Sequence, residues 1–270
     1  MSALVLTLRQ APAQRLDFAP LTPNQLAGKS EAEIAAVPLN ITRERMRVGD
    51  LFKLRMGDPG EIVIEGGSDR FDCVGCAMAG GALRIDGDVG AQAGRLMTGG
   101  KLTIAGNAGP WAASGMKGGT LEVAGNAGER LGGPLAGEMA GMRGGVVVVH
   151  GDAGARAADR LRRGTIIVEG KVGSHAGSRM IAGTLLVGGR AGPLPGYLMA
   201  RGTLVCGHGC DALSPTFADC GVHDLVAMTL LADFVEPYST TIARLLRHSW
   251  RRLLGDMAVI GKGEIFYPPV

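Results

Sequence analysis

One phrase recurs every 19 residues in this chain, and nothing else in the sequence narrows the possible folds as much. Residues 78–90 read MAGGALRIDGDVG, residues 97–109 MTGGKLTIAGNAG and residues 116–128 MKGGTLEVAGNAG. Self-similarity at a spacing of this length marks stacked repeats, each too thin to bury its apolar face alone. Tracked by its glycine and the apolar pair behind it, the pattern runs from Gly60, Ile62 and Ile64 to Gly202, Leu204 and Cys206. It predicts eight coils.

Within each coil the apolar residues alternate, as in Leu102 and Ile104, so each short run reads as a strand with one face inward. Strands recurring at this distance, with no alternating run between them, cannot pair by short hairpin turns. Each must pair in parallel with its equivalent in the next coil. The fold class expected is mainly β: a right-handed, single-stranded parallel β-helix, its handedness carried by the family resemblance below. At about 4.8 Å per coil, eight coils make a rod of roughly 40 Å.

Stacking places like above like. Met78, Met97, Met116, Met142, Leu161, Met180 and Met199 are expected to form an internal ladder of adaptable fillers. Asp88, Asn107, Asn126 and Asp152 share one position and are expected to form turns. A glycine pattern such as Gly106, Gly109 and Ala113 follows each strand and marks the corners. The period breaks once: the stretch from Gly128 to Met142 is 14 residues where other coils use 7, so an insertion around Gly132 to Gly137 must bulge from one face.

Composition agrees with thin coils. Forty-five glycines and 46% apolar residues, with 4% aromatic, describe a core of small aliphatic side chains. A net charge of +3 excludes general attraction to nucleic acid or membrane. Five cysteines make no disulfide framework, and with an N-terminus unlike a signal peptide they are read as those of a cytoplasmic protein.

Residues 1–56 lie outside the repeat and are expected to form an α/β segment covering one end. Leu4, Leu6 and Leu8 suggest a first strand, Ser30 and Glu33 a capping box on a short helix, and Val48–Leu54 a strand leading into the stack. Residues 57–210 form the coils, and 211–270 a helical cap and tail. There, Leu225 to Phe234 reads as a short helix. From Ser239 a longer one puts Ile242, Leu245, Leu246, Trp250 and Leu253 on one face. Met257 to Ile265 reads as a returning strand.

Candidate chemistry is sparse. Cys73 and Cys76 make a C-x-x-C without a second pair, and Cys76 falls on an ordinary corner position. Cys206, His208, Cys210, Cys220 and His223 are a denser group whose spacing matches no zinc pattern, which favours buried structural cysteine over a metal or catalytic site of the chain's own. No nucleophile elbow, H-E-x-x-H or phosphate-binding loop is present. Arg244, Arg247, Arg251 and Arg252 form the one local charge excess, expected on the polar face of the last helix.

The run M-x-G-G-x-L-x-I-x-G-[DN]-x-G with its corner glycines resembles the right-handed β-helix shared by the glutamate synthase C-terminal domain and the C-subunit family of formylmethanofuran dehydrogenase. The likeness covers at least residues 57–208. The VGDLFKL and LLGDMAVIGKGEIF segments favour the second, and within it the chain looks most like the C subunit of the bacterial formyltransferase/hydrolase complex. That resemblance implies a scaffold in one-carbon metabolism and formaldehyde oxidation, without a catalytic residue, metal or cofactor of its own. Its partners would be hydrolase and formyltransferase subunits, the metal lying on the former. The complex would move formyl from formyl-tetrahydromethanopterin to a methanofuran-type carrier and release formate. Such carriers bear glutamates, so three readings of the four C-terminal arginines stand side by side: a solvated helix face, docking to an acidic partner surface, and attraction of the anionic carrier. A subunit of a true molybdenum or tungsten dehydrogenase and a glutamate synthase-like spacer remain the alternatives.

Overall fold

In each coil the equivalent strand hydrogen-bonds in register to the strand of the coil before and the coil after. The computed structural model describes residues 2–39 and 45–269. In chain order the elements are β1 (Ala3–Leu8), β2 (Leu16–Asp17), α1 (Pro23–Leu26), α2 (Glu31–Ala35), α3 (Val48–Leu51) and β3 (Phe52–Arg55). The coil strands follow: β4 (Asp58–Glu65), β5 (Phe71–Asp72), β6 (Ala82–Asp86), β7 (Lys101–Ile104), β8 (Thr120–Val123), β9 (Arg143–Val149), β10 (Arg163–Val168), β11 (Thr184–Val187) and β12 (Arg201–Cys206). The chain ends with β13 (Ala218–His223), α4 (Val226–Val235), α5 (Thr240–Leu246), β14 (Trp250–Gly255) and β15 (Lys262–Tyr267).

Among the described residues 13 strands form one sheet in the order β13-β14-β15-β12-β11-β10-β9-β8-β7-β6-β4-β1-β3. From β4 to β12 every pair is parallel, with Ile62, Leu83, Leu102, Leu121, Val147, Ile166, Leu185 and Leu204 in one row. A second row of single parallel bridges joins Ser68, Val89, Ala108, Ala127, Ala153, Val172, Ala191 and Cys210. Two such rows wound around one core are a β-helix-like fold. The expected methionine ladder is present, Met78, Met97, Met116, Met142, Leu161, Met180 and Met199 all being fully buried.

The corner glycines are there for two different reasons. At Gly109 an added Cβ would lie 2.6 Å from the Gly90 carbonyl carbon, so neighbouring coils approach too closely for any side chain. Gly94 instead has φ +65° and room around it, and its equivalents Ala113 and Ala158 hold the same left-handed backbone. The Asx residues also act differently from expectation. They bond forward to the next coil: the Asn107 N–H donates to Asp88 Oδ1 at 2.7 Å, Asn126 to Asn107 at 2.8 Å and Asp152 to Asn126 at 2.8 Å.

At the N-terminal end the capping box on α2 is present, Ser30 and Glu33 exchanging hydrogen bonds. The strand expected over Val48–Leu54 begins as one helical turn, α3, because Asp50 accepts the Arg47 N–H at 2.9 Å, and only then extends as β3. The long C-terminal helix is the main correction. It stops at Leu246, and Trp250 and Leu253 belong to β14, an antiparallel strand between β13 and β15. Over so short a run the apolar spacing fits either period, and pairing with β15 decides it. The returning strand is β15, starting later than expected. Helix α4 forms where expected. No helix among the described residues is long and apolar enough to cross a membrane.

Helices α4 and α5 lie on the outer face of β9 to β12. They enclose a second core of Val146, Val148, Ile167, Leu186, Val205, Met228, Ile242, Leu246, Trp250 and Phe266. A polar ladder borders it: Lys101 pairs with Glu122 at 2.9 Å, His150 Nδ1 meets Glu169 at 2.9 Å, and Ser239 Oγ donates to the other Glu169 oxygen. Burial pulls the His150 pKa down, but the Glu169 carboxylate, helped by Glu122, outweighs it and holds the imidazole above its ordinary 6.5.

Two outcomes follow. Gly109→Ala should cost about 3 kcal/mol in a denaturant melt and Gly94→Ala about 1 kcal/mol, the ordinary left-handed penalty. A histidine whose folded pKa is raised stabilises fully below pH 6.5 and loses that contribution as pH rises through the folded value. Thermal stability should therefore fall across that interval, and His150→Gln should flatten the fall.

Candidate functional site

The insertion predicted after Gly128 folds over a row of arginines, and the two together form a basic pocket. The left-handed corner positions carry long side chains here: Arg130, Arg156, Arg160 and Arg179 have φ between 50° and 59°. Stacking brings them to one side of the coils, beneath residues 134–139, around a cavity of about 380 Å3. Glu138 fastens the loop. Its carboxylate takes Arg95 at 2.5 Å and the Leu135 N–H at 3.0 Å, while its carbonyl accepts from Arg160 at 3.1 Å. The buried Asp159 carboxylate lies 3.7 Å from both Arg130 and Arg156.

Two acids thus face five guanidiniums, and among the described residues Arg179 makes no ion pair. The excess extends over the adjacent surface, where exposed Arg143 and Arg163 stand in register on neighbouring strands and Arg162 is exposed beside them. Like charges directly opposed across a sheet repel. An anion bound between them relieves that repulsion, and guanidiniums bind carboxylate or phosphate with paired hydrogen bonds. Chemically the pocket is suited to holding an anion; it offers no nucleophile or base paired for reaction.

The four C-terminal arginines do not share one helix face. Arg244 is on α5, Arg247 follows its end, and Arg251 and Arg252 are on β14. Arg247 pairs with Asp233 at 2.7 Å and Glu236 at 3.3 Å, Arg251 with Asp219, and Arg252 with Glu264. The carboxylates come from α4, β13 and β15, elements whose approach only the tertiary fold determines. Their hydrogen bonds lower the Asp219 pKa and raise that of Arg251.

Among the cysteines and histidines, no group of three or more His, Cys, Asp or Glu among the described residues is placed to hold a metal. His208 bonds the Gly188 carbonyl at 2.7 Å, and His223 the Cys220 carbonyl at 2.8 Å, on a β13 strand that sequence reasoning missed. Burial, with Asp17 beside it, pushes the Cys73 thiol up to about 11, and burial also raises Cys76. Cys206 and Cys210 both belong to the last coil, and each shifts the other's titration.

No family model matches the chain. The C subunit of the formyltransferase/hydrolase complex Fhc of Methylorubrum extorquens is 51% identical over 263 residues, 97% of this chain and 98% of that protein. The chain belongs to the C-subunit family of formyltransferase/hydrolase complexes. One chain of the crystal structure of the Methylorubrum extorquens complex FhcABCD, solved with methylofuran, superposes on it with a TM-score of 0.95 and 42% identity. The match covers 98% of this chain and all of that one.

For a member of this family, the insertion pocket is the departure from the repeat that brings the most charge together. Its position could be read from the broken period. Its arginines could not, because only the stacking of coils separated by an insertion shows that Arg130, Arg156 and Arg179 face one side. Glu138→Gln should free the loop: limited proteolysis is expected to cut within residues 133–141 several-fold faster, with the melting temperature nearly unchanged, since surface changes cost within about 0.5 kcal/mol.

Proposed function

We propose that this chain is the C subunit of a formyltransferase/hydrolase complex and contributes structure, without a catalytic residue, to one-carbon transfer in the cytoplasm. The observation that carries the reading is end-to-end similarity, 51% identity over 97% of the chain, to the C subunit of such a complex. In this reading residues 57–210 are a right-handed β-helix of eight coils, closed by residues 1–56 at one end and 211–270 at the other. The sheet order supports this, since β3 and β13, not a coil strand, stand at its edges. Unpaired coil edges would otherwise template aggregation.

Hydrolase and formyltransferase subunits dock on the rod, the metal and both active sites lying on them. Formyl passes from formyl-tetrahydromethanopterin to a methanofuran-type carrier and leaves as formate. The relative's complex was solved with methylofuran, which supports a carrier of that class. The carrier's carboxylates meet the insertion pocket, whose cationic charge exceeds what its own acids offset. Arg244, Arg247, Arg251 and Arg252 form a second surface for a partner or the carrier, though intrachain carboxylates already engage three of them.

Purification of the tagged chain from its native host should bring down formyltransferase and hydrolase subunits, and the isolated chain should leave formyl carrier intact. In the same preparation Arg156→Glu with Arg179→Glu should cut retained carrier several-fold while the subunits still co-purify. Isolation as an active monomer would sink the scaffold reading.

A further inference from the structure

The last coil departs from its predecessors at two inward positions. In the six coils before it the end of the strand and the bridge residue four places on are both apolar, as with Val149 and Ala153, Val168 and Val172, or Val187 and Ala191, and the first coil has Ile64 and Ser68 there. Their counterparts in the last coil, paired in the same two rows, are Cys206 and Cys210. The turn between them is tight: Gly209, at φ +78°, donates its N–H to the Cys206 carbonyl at 3.2 Å. Each thiol shifts the titration of the other.

Cys206 is fully buried, whereas Cys210 is partly buried and packs against the core on one side only. Cys210 lines a solvent-open cavity of about 430 Å3, with Arg190, His208 and Tyr267 in its wall. Arg190 is held beside it by bonds to the His208 and Cys210 carbonyls, both 3.1 Å, and by pairing with Asp211. We propose that Cys210 is a peroxide-reactive thiol and Cys206 its resolving partner, the pair closing to a disulfide in the last coil.

The chemistry balances with a hydroperoxide as oxidant. The Cys210 thiolate attacks one peroxide oxygen, the O–O bond breaks, and the departing alkoxide or hydroxide takes a proton, leaving Cys210 as a sulfenic acid. The Cys206 sulfur then attacks the sulfenyl sulfur. The S–S bond forms, and the hydroxyl leaves with the Cys206 proton as water. Two electrons from the dithiol have reduced the hydroperoxide. The environments divide the roles: the neighbouring Cys206 lowers the Cys210 thiol, against burial and with help from Arg190, whereas Cys210 and full burial raise Cys206. Cys73 and Cys76, both raised by burial, provide an internal contrast.

The test treats the purified complex with one equivalent of hydrogen peroxide, alkylates free thiols and maps peptides by mass. The peptide holding Cys206 and Cys210 should lose about 2 Da before Cys73, Cys76 or Cys220 change, about tenfold faster than any of them. Cys210→Ser should abolish the loss. Cys206→Val, which restores the residue type of the preceding coil, should melt like the parent and accumulate a sulfenic acid on Cys210 that a cyclic dione traps. Oxidation of Cys73 or Cys76 ahead of this pair, or an untrapped Cys206→Val protein, would overturn the proposal.

Discussion

Everything in this molecule depends on one constraint: each coil must hydrogen-bond to the next along its whole strand without slipping. In-register pairing from β4 to β12 places Ile62, Leu83, Leu102 and their successors in one buried row. A shift of one residue would turn that row to solvent. The same closeness dictates the corners. At Gly109 the neighbouring backbone leaves no space for a methyl group, while the Asx side chains at Asp88, Asn107 and Asn126 use it to bond the next coil's N–H. Glycine content here measures backbone contact more than flexibility.

Periodicity made the coils and the methionine ladder legible because each coil repeats the same environment. Residues outside the repeat were less so. Trp250 and Leu253 have helical spacing, yet lie on a strand, since pairing with β15 is a long-range event that no local pattern encodes. One signal for the outer core was present: KLTI and TLEV alternate, whereas VVVV and the IIV and LLV that end the next two strands are unbroken apolar runs, as in strands covered on both faces. That continuity marks where α4 and α5 pack.

The candidate sites divide along the same line. The insertion could be located by counting residues, but its charge depends on arginines that share a face only because coils stack. The C-terminal arginines looked unopposed along the chain, while Asp219, Asp233 and Glu264 reach them from β13, α4 and β15. Charge balance at a surface is a property of neighbours in space.

The uniform stacking also makes the chain a ruler. Any two features on different coils stand apart by a whole number of steps of about 4.8 Å, and the unbroken pairing from β4 to β12 keeps that distance from varying. Proteins seated at the insertion and at the far end would be held at a set separation, and losing one 19-residue coil would bring them closer by one step while leaving each seat intact.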